Sequence, residues 1–248
     1  MKKYLPIILI GLLFFCFGFS PHLRVIARKK AAGCIAGTTF SYNGDHSVDD
    51  DTACDSAGSP IAGTEAGEVT VDSDYVYVPS SNDYLRWVID STEFNGDEGT
   101  LWVSIYVVDL GVPETVGVTP TFEVYYSGDS ANNNLTCYVD GSNAQVRCFH
   151  EGNGTANNAY GGNETLTYDT WYDLGVSWSV SESAFAVTCE ISGQAAAWDE
   201  DPDDTITSWA AAADRILIGE DVLSAGTNDA VRVKDLVIVS GYQTADPR

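Results

Sequence analysis

The sequence predicts an all-β chain of antiparallel strands, a sandwich or a barrel, and three observations carry that reading. The run from Trp171 to Val180 sends Tyr172, Leu174, Val176, Trp178 and Val180 to one side of a sheet. Asp173, Gly175, Ser177 and Ser179 go to the other, because side chains alternate along a strand. After Ser181-Glu182-Ser183, the residues Phe185, Val187, Cys189 and Ile191 repeat the alternation against Ala186, Thr188 and Glu190. The two runs read as an antiparallel hairpin with one core face and one wet face. The third observation is a series of about ten to twelve short strand signals punctuated by Gly, Asn, Asp and Ser clusters. Helical patterning is confined to Ser208–Ala213, enough for one turn or two.

Taken in order, residues 1–30 stand apart. Met1-Lys2-Lys3 precedes an uncharged apolar stretch from Tyr4 to Phe19, the layout of a secretory signal or an N-terminal signal-anchor. The stretch is shorter than the roughly 20 residues of a membrane span. Arg24, Arg28, Lys29 and Lys30 follow it and weigh toward anchoring. The chain is thus expected to be exported, secreted or at the cell surface, with any membrane contact made through this segment if it is uncleaved. Residues 31–67 are rich in Gly, Ala, Ser, Thr and Asp and read as a linker or loosely structured lead-in. Residues 68–248 carry the strand signals and form the expected domain.

Within it, Tyr75-Val76-Tyr77-Val78 ends at Pro79, and Tyr84 to Ile89 follows. Leu101 to Val108 is apolar on both faces, which suits a strand covered on both sides. Phe122, Val124 and Tyr126 alternate with Glu123 and Tyr125. Leu135–Val139 and Ala144–Phe149 form a hairpin, and Arg215–Gly219 and Val231–Val239 close the series.

Charge divides where the leader ends. Of the twelve basic residues six lie in positions 1–30, leaving six against 36 acidic residues and a net charge of −30 for the remainder. So negative a surface repels phosphate backbones, and no nucleic-acid partner is expected.

The six cysteines fit an oxidising compartment. Cys16 lies in the leader. A turn centred on Ser142-Asn143 sets Cys137 directly opposite Cys148, within disulfide reach. Cys34 with Cys54 would complete the pairing, and lipidation at Cys34 competes with it. Cys189 shares the apolar face of its strand and reads as a buried thiol.

The order of elements resembles the concanavalin A-like lectin/glucanase superfamily, in its laminin-G-like branch. The resemblance rests on Asp74-Tyr75-Val76-Tyr77-Val78-Pro79, Gly99-Thr100-Leu101-Trp102-Val103, Trp171 to Trp178, Ile216-Leu217-Ile218-Gly219 and Val233-Lys234-Asp235-Leu236-Val237-Ile238. It implies an antiparallel two-sheet β-sandwich, a jelly roll, whose loops carry function. It also implies that a calcium ion at the sandwich rim is a candidate cofactor.

Glycosidases need paired carboxylates, and no glutamate here is followed two positions on by the aspartate of the superfamily's catalytic strand. His22 lies beside the leader, His46 in the lead-in, and His150 at a strand end, where exposure is the default. No catalytic residue is assigned, and the chain is read as a non-enzyme. Asp199-Glu200-Asp201-Pro202-Asp203-Asp204 concentrates hard oxygen ligands, and Asp199, Asp201, Asp203 and Asp204 are the candidate Ca²⁺ ligands. The glycine and terminal glutamate of an EF-hand are missing. Aromatic platforms beside polar groups suit sugars, and Trp198, Tyr160, Asn163 and Trp209 are the candidate ligand-binding residues. Three N-glycosylation sequons begin at Asn134, Asn153 and Asn163.

The expected function is an exported, non-catalytic recognition module binding carbohydrate or a surface glycoprotein. The alternatives are a structural protein of a cell surface, appendage or virion, and an atypical glycoside hydrolase.

Overall fold

The structure, a computed structural model, describes residues 34–42, 51–72, 74–80, 83–108, 118–140, 145–161, 166–182, 186–191, 205–219 and 230–242. Every regular element among them is a strand, and the strands form two antiparallel sheets. With strands numbered in chain order, the first sheet runs β14 (Val187–Ile191), β13 (Trp171–Ser179), β8 (Glu98–Val108), β16 (Ala230–Ser240), β1 (Phe40–Tyr42), β2 (Ala53–Asp55) and β3 (Pro60–Ile61). Strand β6 (Val76–Val78) also pairs with β16, and β5 (Thr70–Val71) with β6. The second sheet runs β12 (Thr155–Gly161), β11 (Gln145–Gly152), β10 (Asn133–Asp140), β9 (Val118–Tyr125), β15 (Arg215–Gly219), β7 (Tyr84–Val88) and β4 (Thr64–Ala66). The expected two-sheet sandwich is what the chain forms.

Alternation dictates the interior. Leu174, Val176 and Trp178 of β13 meet Leu101, Val103 and Ile105 of β8 on the inner face of the first sheet. Leu85, Trp87, Phe122, Val124, Leu135, Val139, Ile216 and Ile218 supply the opposing layer. Trp178 has 0% exposure, stacks on Phe94 with ring centroids 5.1 Å apart, and donates its Nε1–H to Asn95 O at 2.9 Å. A buried indole with its polar atom satisfied supplies apolar burial without a desolvation penalty.

Strand β16 departs from simple alternation. Its register against β8 shifts between Lys234 and Val237, where Asp235 takes a φ of 55°. One extra residue reverses which parity points inward. Val231 and Val233 face the core before the bulge, and Leu236 and Ile238 face it afterwards. Arg232 and Lys234 are therefore outward, as are Val237 and Val239.

The lead-in contributes short strands. Residues 34–66 supply β1 to β4, and Phe40 and Tyr42 lie in the core against Trp87, at centroid distances of 5.4 and 4.8 Å. Strands of two or three residues are too short to show periodicity, and their hydrogen bonds come from distant partners such as Ile238. Ser208–Ala213 differs from expectation, for it forms no helix. Side chains capture its backbone donors instead: Trp209 N–H bonds Asp97 Oδ1 at 3.2 Å, and Ala210 N–H bonds Asn133 Oδ1 at 2.8 Å. Strands β11 and β12 meet at Asn153-Gly154, both at positive φ (48° and 77°), the geometry of a two-residue hairpin turn. Of the sequon asparagines, Asn134 is buried and its Nδ2 donates to Ser130 O at 3.0 Å.

Cys137 and Cys148 are bonded across β10 and β11 with Cα atoms 4.2 Å apart, and Cys34 is bonded to Cys54. Cys189, on β14 of the other sheet, is buried and free, and its Sγ lies 3.1 Å from Sγ of Cys148. Burial pushes the Cys189 thiol above its ordinary range, so the thiolate needed for exchange is scarce in the folded chain. With Cys137 replaced by alanine, Cys148 and Cys189 are expected to join under oxidised glutathione, tying the two sheets together. Peptide mapping of Cys137→Ala should recover that cross-link; two free thiols at positions 148 and 189 would count against the arrangement.

Candidate functional site

The outer face of the first sheet carries a cluster that begins with the bulge in β16. Ahead of it Arg232 pairs with Tyr77 of β6 on one side and with Tyr106 of β8 on the other, and Tyr106 pairs in turn with Trp171 of β13. Tyr77, Arg232, Tyr106 and Trp171 thus form one row across four strands, and the next row holds Lys234, Ser104 and Asp173. Tyr75, just before β6, leans on Trp171 at a centroid distance of 6.4 Å, and Tyr106 lies 5.3 Å from the same ring. All these aromatic rings are half-buried.

The cations are held by rings. The Arg232 guanidinium carbon is 4.8 Å from the Tyr106 centroid, 5.1 Å from Tyr75 and 5.9 Å from Tyr77. Lys234 Nζ is 4.3 Å from the Trp171 centroid. Each such contact is worth about 0.5–2 kcal/mol, more as water is excluded. Among the described residues neither cation has a carboxylate within ion-pairing distance, and the ion pair formed there is Arg215–Asp214 at 3.4 Å. Arg232 Nε is buried with no hydrogen-bond partner. Burial and the neighbouring Asp169 carboxylate push the Tyr106 phenol upward, and Arg232 only partly offsets them. Ser104 donates to Asp173 Oδ1 at 2.6 Å, fixing a polar group beside the aromatic row. Chemically the face offers flat apolar rings, two cations and a fixed carboxylate.

A second cluster stands at the other end of β8. Gly96 precedes that strand and Tyr106 lies near its end, roughly 30 Å away at the rise of an extended chain. His150 alternates inward with Val146 and Cys148 and has 0% exposure, so the default of an exposed histidine is corrected. Its Nε2 lies 2.9 Å from Gly96 O and 3.1 Å from Trp209 Nε1. One nitrogen cannot donate to the carbonyl and accept from the indole at once, so each neutral tautomer satisfies one partner. Nδ1 is buried without a partner. Burial pulls the His150 pKa below 6.5, opposed by Gly96 O and the Asp97 carboxylate.

Of the residues singled out in the sequence, Trp209 is half-buried over this histidine. Its ring packs 5.1 Å from Phe94 and against Gly96, where a Cβ would collide with the indole. Its Nε1–H points inward to His150, so the ring edge that could recognise a ligand is committed to packing. Tyr160 lies on β12, paired with Arg147 at the edge of the second sheet. Trp198, Asn163 and the acidic run with Asp199, Asp201, Asp203 and Asp204 lie outside the described residues. Among the described residues no group of three or more His, Cys, Asp or Glu gathers as a metal site.

The aromatic row was missed because its members are far apart in sequence. Trp171 and Tyr75 read as strand residues, and pairing alone brings them to Arg232. A signal did exist: Arg232 and Lys234 alternate within one strand and are two of only six basic residues beyond position 30.

The fold is an all-β, jelly-roll-like sandwich of two antiparallel sheets. No protein-family model matches the sequence, and no curated protein sequence matches it. Solved structures with the same fold include the receptor binding domain of botulinum neurotoxin C/D mosaic serotype, at 12% identity and a TM-score of 0.59 over 84% of this chain and 49% of that one. The botulinum neurotoxin serotype D ligand binding domain, solved in complex with N-acetylneuraminic acid, matches at 10% identity and a TM-score of 0.58, over 84% of this chain and 48% of that one. The type G receptor binding domain matches at 10% identity and 0.57, over 84% and 49%. The chain spans about half the length of these domains, and the likeness is one of fold.

Because the folded state holds His150 neutral, the unfolded chain binds more protons below pH 6.5 and stability falls as pH drops through that region. The melting temperature should therefore decline from pH 7.5 to 5.5, and the decline should shrink in His150→Gln. An equal decline in wild type and variant would remove His150 as its source.

Proposed function

We propose that this chain is an exported, non-catalytic recognition module that binds carbohydrate through the outer face of its first sheet. The observation that carries the proposal is the row Tyr77, Arg232, Tyr106 and Trp171, with Tyr75 beside it, standing half-exposed on a rigid sheet. Pyranose rings have an apolar face that stacks on indole and phenol rings, while Ser104 and Asp173 offer fixed hydrogen-bonding groups for hydroxyls. Central strands hold such groups more firmly than loops do.

Two disulfides support an oxidising location and hence export. One solved neighbour is a ligand binding domain in complex with N-acetylneuraminic acid, which supports the carbohydrate reading by analogy of fold. Membership of the laminin-G-like branch and a calcium ion at Asp199, Asp201, Asp203 and Asp204 remain part of the proposal. Calcium is checked by repeating the binding measurement with chelator.

The test is a glycan array followed by titration. Trp171→Ala should weaken binding of any glycan that scores by about two- to tenfold, because stacking on one ring is worth about 0.5–1.5 kcal/mol. Trp209→Ala should instead lower the melting temperature and leave affinity unchanged. Absence of any glycan ligand, together with self-assembly in solution, would favour a structural protein. The reverse pattern in the two tryptophan variants would move the site to Trp209.

A further inference from the structure

We infer that the Arg232–Lys234 corner is an anion subsite selecting a carboxylate-bearing sugar, and that it sets the ligand class of the carbohydrate site on which this inference rests. The argument begins with electroneutrality. Beyond position 30 the sequence holds 36 acidic residues and six basic ones, so an ion-pair partner is in ample supply for any cation. Arg232 and Lys234 nevertheless have none within 4 Å among the described residues, although Arg215 pairs with Asp214 at 3.4 Å on the other sheet. They sit instead over tyrosine and tryptophan rings, at 4.8 Å and 4.3 Å.

Ring faces hold a cation in place without neutralising it. The attraction of a ring quadrupole is smaller than that of a carboxylate and leaves the N–H groups free to bond elsewhere. The planar fork of Arg232 matches a carboxylate in two-point geometry. Strand geometry fixes the spacing: Arg232 and Lys234 are alternate residues of β16, about 7 Å apart on one face. The pair lies over Tyr106 and Trp171, so a sugar ring stacking along the aromatic row would meet it. A saccharide bearing a carboxylate beside its ring answers both features at once.

The rest of the molecule argues against a larger anion. A net charge of −30 repels a polyanion along its whole length, so nucleic acid or a long acidic polymer pays that cost at every repeat. A short saccharide with one or two carboxylates meets the Arg232–Lys234 corner, with Asp169 and Asp173 as the acidic groups beside it.

The experiment uses matched probes. Galacturonic-acid oligomers of three to six residues are compared with the same oligomers after reduction of the carboxyl to the alcohol, and sialyllactose with lactose, by titration calorimetry on the full chain. The expected result is at least a tenfold preference for the acidic member of one pair, and the pair that shows it distinguishes a uronic from a nonulosonic acid. Lys234→Gln and Arg232→Gln should each abolish the preference, bringing the acidic and neutral members of the pair to equal affinity. Lys234 borders the site from one ring only, so Lys234→Gln remains informative if Arg232→Gln fails to fold. Equal affinity for acidic and neutral members would overturn the anion subsite while the carbohydrate reading stands. A preference that persists in a folded Lys234→Gln and Arg232→Gln pair would overturn it as well. Failure of every saccharide to bind would remove the carbohydrate reading and this inference with it.

Discussion

The extra residue in β16 is the constraint on which the rest of the arrangement depends. The strand has to serve two neighbours in succession, β6 along its first half and β1 along its second. A strand of strict alternation would keep one parity inward throughout. The bulge at Asp235 changes parity where the neighbour changes, so Val231 and Val233 share the core with Leu236 and Ile238. The same step leaves Arg232 and Lys234 outward, beside Tyr106. Without it, strict alternation would either turn Leu236 and Ile238 outward or draw Arg232 and Lys234 into the interior, and burying a cation unpaired there is prohibitively costly.

What the sequence made legible follows from how far apart the interacting residues lie. The Trp171 hairpin and the cysteine hairpin depend on neighbours within about twenty positions. Alternation with a central turn determines such pairs, and Cys137 stands opposite Cys148 as that turn requires. Strands β1 to β4 were invisible, because two or three residues leave no period to read, and Phe40 and Tyr42 gain their burial from β16 and Trp87. The aromatic row lies at the far extreme. It joins positions 77, 106, 171 and 232 through three separate pairings, so no local window contains it. His150 misled for a related reason. A polar residue at a strand end defaults to solvent, yet its inward parity is the same as that of Cys148, and the segment bearing Trp209 closes over it.

The two clusters show opposite uses of a tryptophan. Trp209 turns its polar edge inward and seals one end of the sandwich against Phe94 and His150. Trp171 keeps its ring on the outer face, with Lys234 over it and Tyr75 and Tyr106 at its sides. Neither composition nor exposure alone separates these roles, since both rings are half-buried. The atoms each ring meets separate the two: the Trp209 indole nitrogen is spent on a buried histidine, while the Trp171 ring carries Lys234.

The placement of the few cations has a further consequence. Arg86, Arg147, Arg215, Arg232 and Lys234 all lie within β-strands, and no described loop carries a lysine or arginine. Proteases that cut after basic residues require an extended segment that can leave the fold, which loop tips provide and hydrogen-bonded strands do not. Among the described residues the folded chain offers trypsin-like enzymes no such segment, so limited digestion should leave these strands uncut.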